Sequence, residues 1–177
     1  MKIRDRPAHI ASRLEAGHWE RDLVMGKLNK SAVVTLVERS SRILMAFPLA
    51  SGNRSDRLRD RVIEALGQLP FSLRRTPTWD RGAEMAKHAD ITAALGTQVY
   101  FCDPVSPWQR GSNENANGLL RQYFPKGLDL NIIDSADLRR AVNEINDGPR
   151  AVLGWASAAT KFASLQAAAH HFQGATP

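Results

Sequence analysis

The chain has 177 residues, of which 43% are hydrophobic and 24% charged, with a single cysteine, Cys102. This is the composition of a folded chain rather than a disordered one, and about 70% of the unfolded surface of such a chain can be buried without help from disulfides. No apolar run approaches the roughly 18 residues of a membrane span, and the charged start from Met1 to Pro7 lacks the apolar stretch of a secretion signal.

The net charge is +6, and it is unevenly spread. Residues 1–75 hold 15 basic and 8 acidic side chains, whereas residues 76–177 hold 9 and 10. A basic surface of this kind favours a polyanion, most often nucleic acid.

In chain order, residues 1–16 are polar and basic without a clear period and read as a linker or arm. A first strand is predicted from Trp19 to Met25, ended by Gly26 and the polar turn Lys27 to Lys30. Ser31 to Val37 is rich in β-branched residues, and Ile43 to Phe47 is a third apolar run; the short link between them predicts an antiparallel pair. The period then changes. Leu58, Val62, Ala65, Leu66 and Leu69 fall on one helical face, with Asn53 placed to cap the start and Gly67 and Pro70 to close the end. Phe71 to Trp79 reads as a fourth strand in which Pro77 removes a ladder donor. Gly82 reads as a turn, Ala83 to Leu95 as a helix, and Thr97 to Cys102 as a fifth strand. Ser106 and Pro107 form a helix start, the hydroxyl capping and the proline costing nothing at the first position. That helix is expected to run to Tyr123. A further helix from Asp134 or Ser135 turns Leu138, Ala141, Val142 and Ile145 to one side, and an Ala-rich helix follows from Ser157 to Phe172.

Three consecutive strands followed by alternating helices and strands predict an α/β fold. The order fits a ribonuclease-H-like mixed five-stranded sheet with helices on both faces, plus C-terminal helices. The expected organisation is a linker at 1–16, a ribonuclease-H-like core at 17–128 and a helical extension at 129–177.

Three acidic residues stand out by position. Asp22 lies inside the first strand, Asp80 at the end of the fourth and Glu114 within the helix after Pro107. If strands one and four are parallel neighbours, Asp22 and Asp80 lie side by side, and Glu114 can reach the same edge. Carboxylates crowded together repel unless cations join them. Two Mg²⁺ or Mn²⁺ ions would relieve the repulsion and serve both the attacking and the leaving oxygen of a phosphodiester. The plainer alternative is a strand-edge acid, a turn former and a surface residue. Around Glu114, Arg110, Asn117 and Arg121 fall on one helical stripe, and Gly111 and Gly118 flank it; arginines and small residues beside an acid suit phosphate. Arg110, Asn113, Asn117, Arg121 and Lys126 are therefore candidate DNA contacts. Cys102 and the adjacent pair His170–His171 lack zinc-site spacing, and no serine nucleophile elbow is present. His88 reads as a helix-surface residue, and Trp19, Trp79 and Trp108 as core packing before base stacking.

Three blocks carry a resemblance. They are Gly17-His18-Trp19-Glu20-Arg21-Asp22-Leu23, Thr78-Trp79-Asp80-Arg81-Gly82-Ala83-Glu84-Met85, and the long run from Val99 to Lys126-Gly127 that includes Ser106-Pro107-Trp108-Gln109-Arg110-Gly111-Ser112-Asn113-Glu114-Asn115. They resemble the catalytic domain of the insertion-sequence 30 family of bacterial transposases, including the 33 residues between Asp80 and Glu114. The resemblance implies an Asp-Asp-Glu triad of Asp22, Asp80 and Glu114 holding two divalent ions, nicking at element ends, and attack of the freed 3′-hydroxyl on target DNA. It implies as partners DNA and either further copies of the chain or a full-length transposase, in the bacterial cytoplasm beside the nucleoid, with no membrane. Family members usually carry an N-terminal helix-turn-helix region; this chain starts at the linker, so that region is expected to be absent. Arg21 stands where the family usually has glycine, Pro77 where it has an aliphatic residue, and Gly148 where it has arginine. Ser157-Ala158-Ala159-Thr160 replaces a Thr-Pro-Ala-Glu-like helix start. The alternative reading is a catalytically impaired, truncated copy that only binds DNA or a transposase.

Overall fold

A computed structural model describes residues 1–49, 54–80, 87–103 and 106–173, with the side chains of 54, 107, 108, 172 and 173 left aside. The expected Asn53 cap, the Gly82 turn, the first part of the Ala83 helix and the Trp108 side chain lie outside the described residues. Five strands form one mixed sheet in the order β3-β2-β1-β4-β5. They are β1 (His18–Met25), β2 (Ala32–Glu38), β3 (Leu44–Leu49), β4 (Thr76–Trp79) and β5 (Tyr100–Phe101). The pairs β1–β2 and β2–β3 are antiparallel, whereas β4 runs parallel to both β1 and β5. The helices are α1 (Arg54–Gly67), α2 (His88–Leu95), α3 (Gly111–Tyr123), α4 (Ser135–Asp147) and α5 (Ala158–Gln173). This is the ribonuclease-H-like α/β architecture expected from the element order. None of the helices is long and apolar enough to cross a membrane, among the described residues.

Alternation along the strands assigns residues to the two faces. Val34 and Leu36 of β2 join Trp19, Leu58, Val62, Leu66, Ile91 and Leu95 in one apolar cluster, covered by α1, α2 and α5. Val33 and Val37 join Val24 and the inward faces of α3 and α4 in a second cluster. β2 is therefore buried on both sides, which explains its nearly continuous run of apolar residues. The face Leu138, Ala141, Val142 and Ile145 of α4 is buried as its spacing predicts, and Asp134 caps that helix by accepting from the Ala136 N–H at 3.0 Å. Phe162 of α5 meets Trp19 edge to face, 6.0 Å between ring centres, so the C-terminal helix completes the core beneath β1.

Several elements are shorter than their sequence pattern predicts. Phe71–Leu73 is a 3-10 turn after Pro70, and β4 starts only at Thr76. The reason lies at Gly17, whose carbonyl accepts from the N–H groups of both Arg75 and Thr76. Gly17 has φ +92, and a Cβ there would sit 2.5 Å from the Ser72 carbonyl oxygen. β1 and β4 can thus approach only at a glycine. Pro77 is tolerated because β5 pairs only with Thr78 and Trp79. The helix expected from Ser106 begins as a 3-10 turn, Pro107–Arg110, which Ser106 does not cap, before α3 proper. Residues 1–16 hold two 3-10 turns with Ile3 and Ile10 buried, and Lys2 bridges to Phe101 at the edge of β5.

Candidate active site

The first turn of α3 lies over β1, and buried polar groups hold it there. Glu20, fully buried, accepts from the Asn113 backbone N–H at 2.9 Å and pairs with Arg39 Nε at 3.0 Å. Arg39 in turn donates to the Ile10 carbonyl at 2.7 Å. Burial, and then the neighbouring Arg6, push the Arg39 guanidinium down to about 10 despite Glu20. An opposite charge buried this deeply offsets a desolvation cost that either ion alone would carry. Sequence reading missed Glu20. The signal available was alternation, since Glu20 and Asp22 share the face of β1 that looks at α3.

Two residues further along β1, Asp22 uses both carboxylate oxygens. Oδ1 lies 2.8 Å from Arg110 Nη1, and Oδ2 accepts from Asn117 Nδ2 at 2.9 Å. Its cross-strand partner Thr35 is fully buried, with its hydroxyl 2.9 Å from Asn117 Oδ1 and 3.0 Å from Asn113 Oδ1. Asp80, at the end of the neighbouring parallel strand, lies 3.7 Å from Arg110 Nη2 and 3.5 Å from Arg21 Nη1. The Arg110 guanidinium therefore lies between Asp22 and Asp80. Burial pulls its pKa down, but Asp22 and then Asp80 outweigh burial and hold it above the usual arginine value. Glu114, exposed, lines one cleft with Asp22, Arg110 and Asn117.

The other candidate contacts fall in different places. Asn113 has no exposed surface. Arg121 donates to the Met25 carbonyl at 2.7 Å, across the start of the β1–β2 turn. Lys126 is exposed beyond α3. Of the flanking glycines, Gly118 faces open space, and Gly111 lies beside the end of the Arg13 side chain. Arg21 is fully buried, its guanidinium carbon 5.9 Å from the Trp79 ring centre, within cation–π range. Trp19 and Trp79 are fully buried as core residues. Cys102 is buried as well, and burial pushes its thiol up to about 11.

Residues 13–107 match the family described as the integrase core domain. The chain belongs to the integrase core family. Over 157 residues it is 46% identical to the transposase for insertion sequence element IS1086 of Cupriavidus metallidurans, a match covering 89% of this chain and 46% of that protein. Over 151 residues it is 44% identical to the transposase InsI for insertion sequence element IS30C of Escherichia coli K12, covering 85% of this chain and 39% of that protein. These relatives bear out the resemblance to insertion-sequence 30 transposases. The chain spans less than half the length of either. Among solved structures it is similar in fold to a chain of the simian T-cell lymphotropic virus intasome in complex with a PP2A regulatory subunit. That match has a TM-score of 0.60 and 20% identity, and covers 75% of this chain and 49% of the other.

Integrase core domains generally depend on divalent metal. The donor set of this cleft is of the right kind, carboxylate oxygens around a point where a cation already lies. Asp80 Oδ1 forms no hydrogen bond among the described residues and faces only the Arg21 guanidinium, 3.5 Å away. Among the described residues, no three acidic, histidine or cysteine side chains stand close enough to hold one ion together. The arrangement is that of carboxylates closed on a guanidinium.

Proposed function

We propose that this chain is the catalytic core of a DDE-type transposase, cleaving DNA phosphodiester bonds and joining a freed 3′-hydroxyl to target DNA. The reading rests above all on Asp22 and Asp80 of adjacent parallel strands sharing one cation beside the cleft that Glu114 lines. Asp22, Asp80 and Glu114 would hold two Mg²⁺ or Mn²⁺ ions, which when bound supply charge to both the attacking and the leaving oxygen of the displacement.

The chain's own residues prepare the site. Glu20 holds the Asn113 N–H and with it the start of α3, which sets where Glu114 projects. Asn117 holds one oxygen of Asp22 and so orients the other. Arg110 neutralises the two aspartates until the site is loaded, and a guanidinium released there is suited to a phosphate oxygen. Element ends, target DNA and further protein subunits are the partners of this reading, with Lys126 a DNA contact beyond α3.

The test is nicking of supercoiled plasmid with Mn²⁺. The parent chain is expected to nick, and Asp80→Asn and Glu114→Gln to abolish nicking. A variant that nicks as well as the parent removes its residue from the triad. A second reading, a domain that only binds DNA or a transposase, is favoured by Arg21, whose buried guanidinium adds a second cation beside Asp80. Its signature is salt-sensitive DNA binding with no nicking by the parent.

A further inference from the structure

The first turn of α3 borders a second cleft, of opposite charge. While Arg110, Glu114 and Asn117 line the acidic one, Gly111, Ser112 and Asn115 line a cleft of about 250 Å³ together with Arg13, Arg42 and Arg150. The three arginines come from separate segments: the stretch before β1, the β2–β3 turn and the turn after α4. Among the described residues, no acidic side chain lines the cleft and none of the three arginines forms an ion pair. Arg42 donates to Ser112 Oγ and Arg150 to the Ile145 carbonyl at 2.7 Å, yet the Nε of each is buried without an acceptor among the described residues. Arg13 Nη2 lies over the first turn of the helix, 3.4 Å from where a Cβ on Gly111 would stand. Burial pushes Arg42 below the usual arginine value and Arg13 pushes it further, against a smaller upward pull from Glu20 and Glu38, while burial alone lowers Arg150. Three cations drawn together with unused donors, and no carboxylate lining the space, make a site short of an anion.

We propose that Arg13, Arg42 and Arg150 grip a backbone phosphate of the DNA strand whose neighbouring phosphodiester occupies the acidic cleft, an assignment that rests on the catalytic reading of that cleft. The turn after Arg150 supports a strand rather than a free anion. Val152 on the rim is 74% exposed, and Trp155, whose backbone N–H donates to the Arg150 carbonyl, is 72% exposed. Exposed aromatic surface beside a cationic groove is what bases stack on.

The experiment measures binding of a fluorescent oligonucleotide to the full chain by anisotropy in EDTA, over a range of salt. Arg13→Gln and Arg150→Gln carry it, each checked by circular dichroism and melting, with Arg42→Gln as a third arm if it folds. Each is expected to weaken binding about five-fold or more, and the Arg13→Gln/Arg150→Gln double variant to lower the slope of log affinity against log salt by about 0.7–0.9, the loss of one phosphate contact. A folded Arg13→Gln/Arg150→Gln double variant that binds like the parent, with the same slope, overturns the proposal. Inorganic phosphate that raises the parent's melting temperature while the double variant keeps full DNA affinity overturns the assignment to DNA. Nicking of plasmid by Asp80→Asn is measured alongside. If its nicking is lost while the arginine variants bind normally, only the phosphate cleft fails. If its nicking persists while they bind weakly, only the triad fails.

Discussion

Along β1, Trp19 and Leu23 turn toward the apolar cluster under α1 and α5, while Glu20 and Asp22 turn toward α3. On the first side an indole is sealed by hydrocarbon and by the Phe162 ring, with its N–H given to the Leu73 carbonyl at 2.8 Å. On the second, carboxylates are held by arginine, asparagine and backbone donors. A strand with a two-residue period thus carries packing and chemistry back to back, and rigidity on one side can locate the charges on the other. Arg21 crosses the division. It lies against Trp79 on the packing side and reaches Asp80 at the end of β4.

The largest expected effects test whether the charged side holds the fold as firmly as the apolar side. Trp19→Ala is expected to cost about 3–5 kcal/mol, and Glu20→Ala a similar amount, because Arg39 is left buried without its carboxylate. Urea denaturation measures both. A Glu20→Ala cost below about 1 kcal/mol breaks the comparison, since the pair would then not be anchoring α3. Next comes Arg110→Gln, which removes the cation between Asp22 and Asp80. A loss of about 1.5–3 kcal/mol is expected without divalent ions. Added Mn²⁺ should then raise the melting temperature more in this variant than in the parent. An equal rise in both would show that the guanidinium does not stand in the cation's place.

A smaller effect concerns the entrance to β1. Burial holds His18 below the usual imidazole value, although the hydrogen bond to Glu15 pulls it back in part. The unfolded chain takes up that proton near pH 6.5. The stability contributed by neutral His18 is therefore complete above that pH, and is lost as pH falls from there toward the folded value. Glu15 is held below its usual range, first by its hydrogen bond from His18, so its contribution is complete above the unfolded carboxylate value and is lost as pH falls through the folded one. Urea midpoints should thus fall between pH 7 and pH 5, and His18→Asn should flatten that fall. A parent with no slope there would contradict a buried neutral His18. The smallest effect is at Cys102. With its thiol near 11, it should resist a disulfide-exchange reagent at pH 8 until the chain unfolds, and rapid native reaction would mean that β4 and β5 pack loosely.

Much of the fold was legible because its signals are local. The β-branched run of β2, the helical face of α4 and the link between β2 and β3 each declare an element within a dozen residues. Phe71 to Arg75 misled for the same reason: a local apolar pattern resembles a strand, but here the chain turns so that Arg75 and Thr76 can bond to Gly17. In the candidate site, neighbourhood was legible and pairing was not. An acid inside the first strand and another at the end of the fourth announce themselves, and Arg110 and Asn117 fall on the stripe with Glu114. That Arg110 sits between the aspartates, that Asn113 is buried under Glu20 and Thr35, and that Arg21 reaches Asp80 have no trace in spacing.

The sequence by itself determined the periods, and through them the sheet, its flanking helices and which face of β1 each acid takes. It also determined the basic excess of the first 75 residues. Only the tertiary structure decided which cations meet which carboxylates, and that Arg13, Arg42 and Arg150 converge. The physical reason is range. Alternation and helical repeat act over a few residues, whereas the hydrogen bond from Asn117 to Asp22 spans 95 positions and that from Asn113 to Glu20 spans 93. Contacts of that span exist only once the whole sheet has closed.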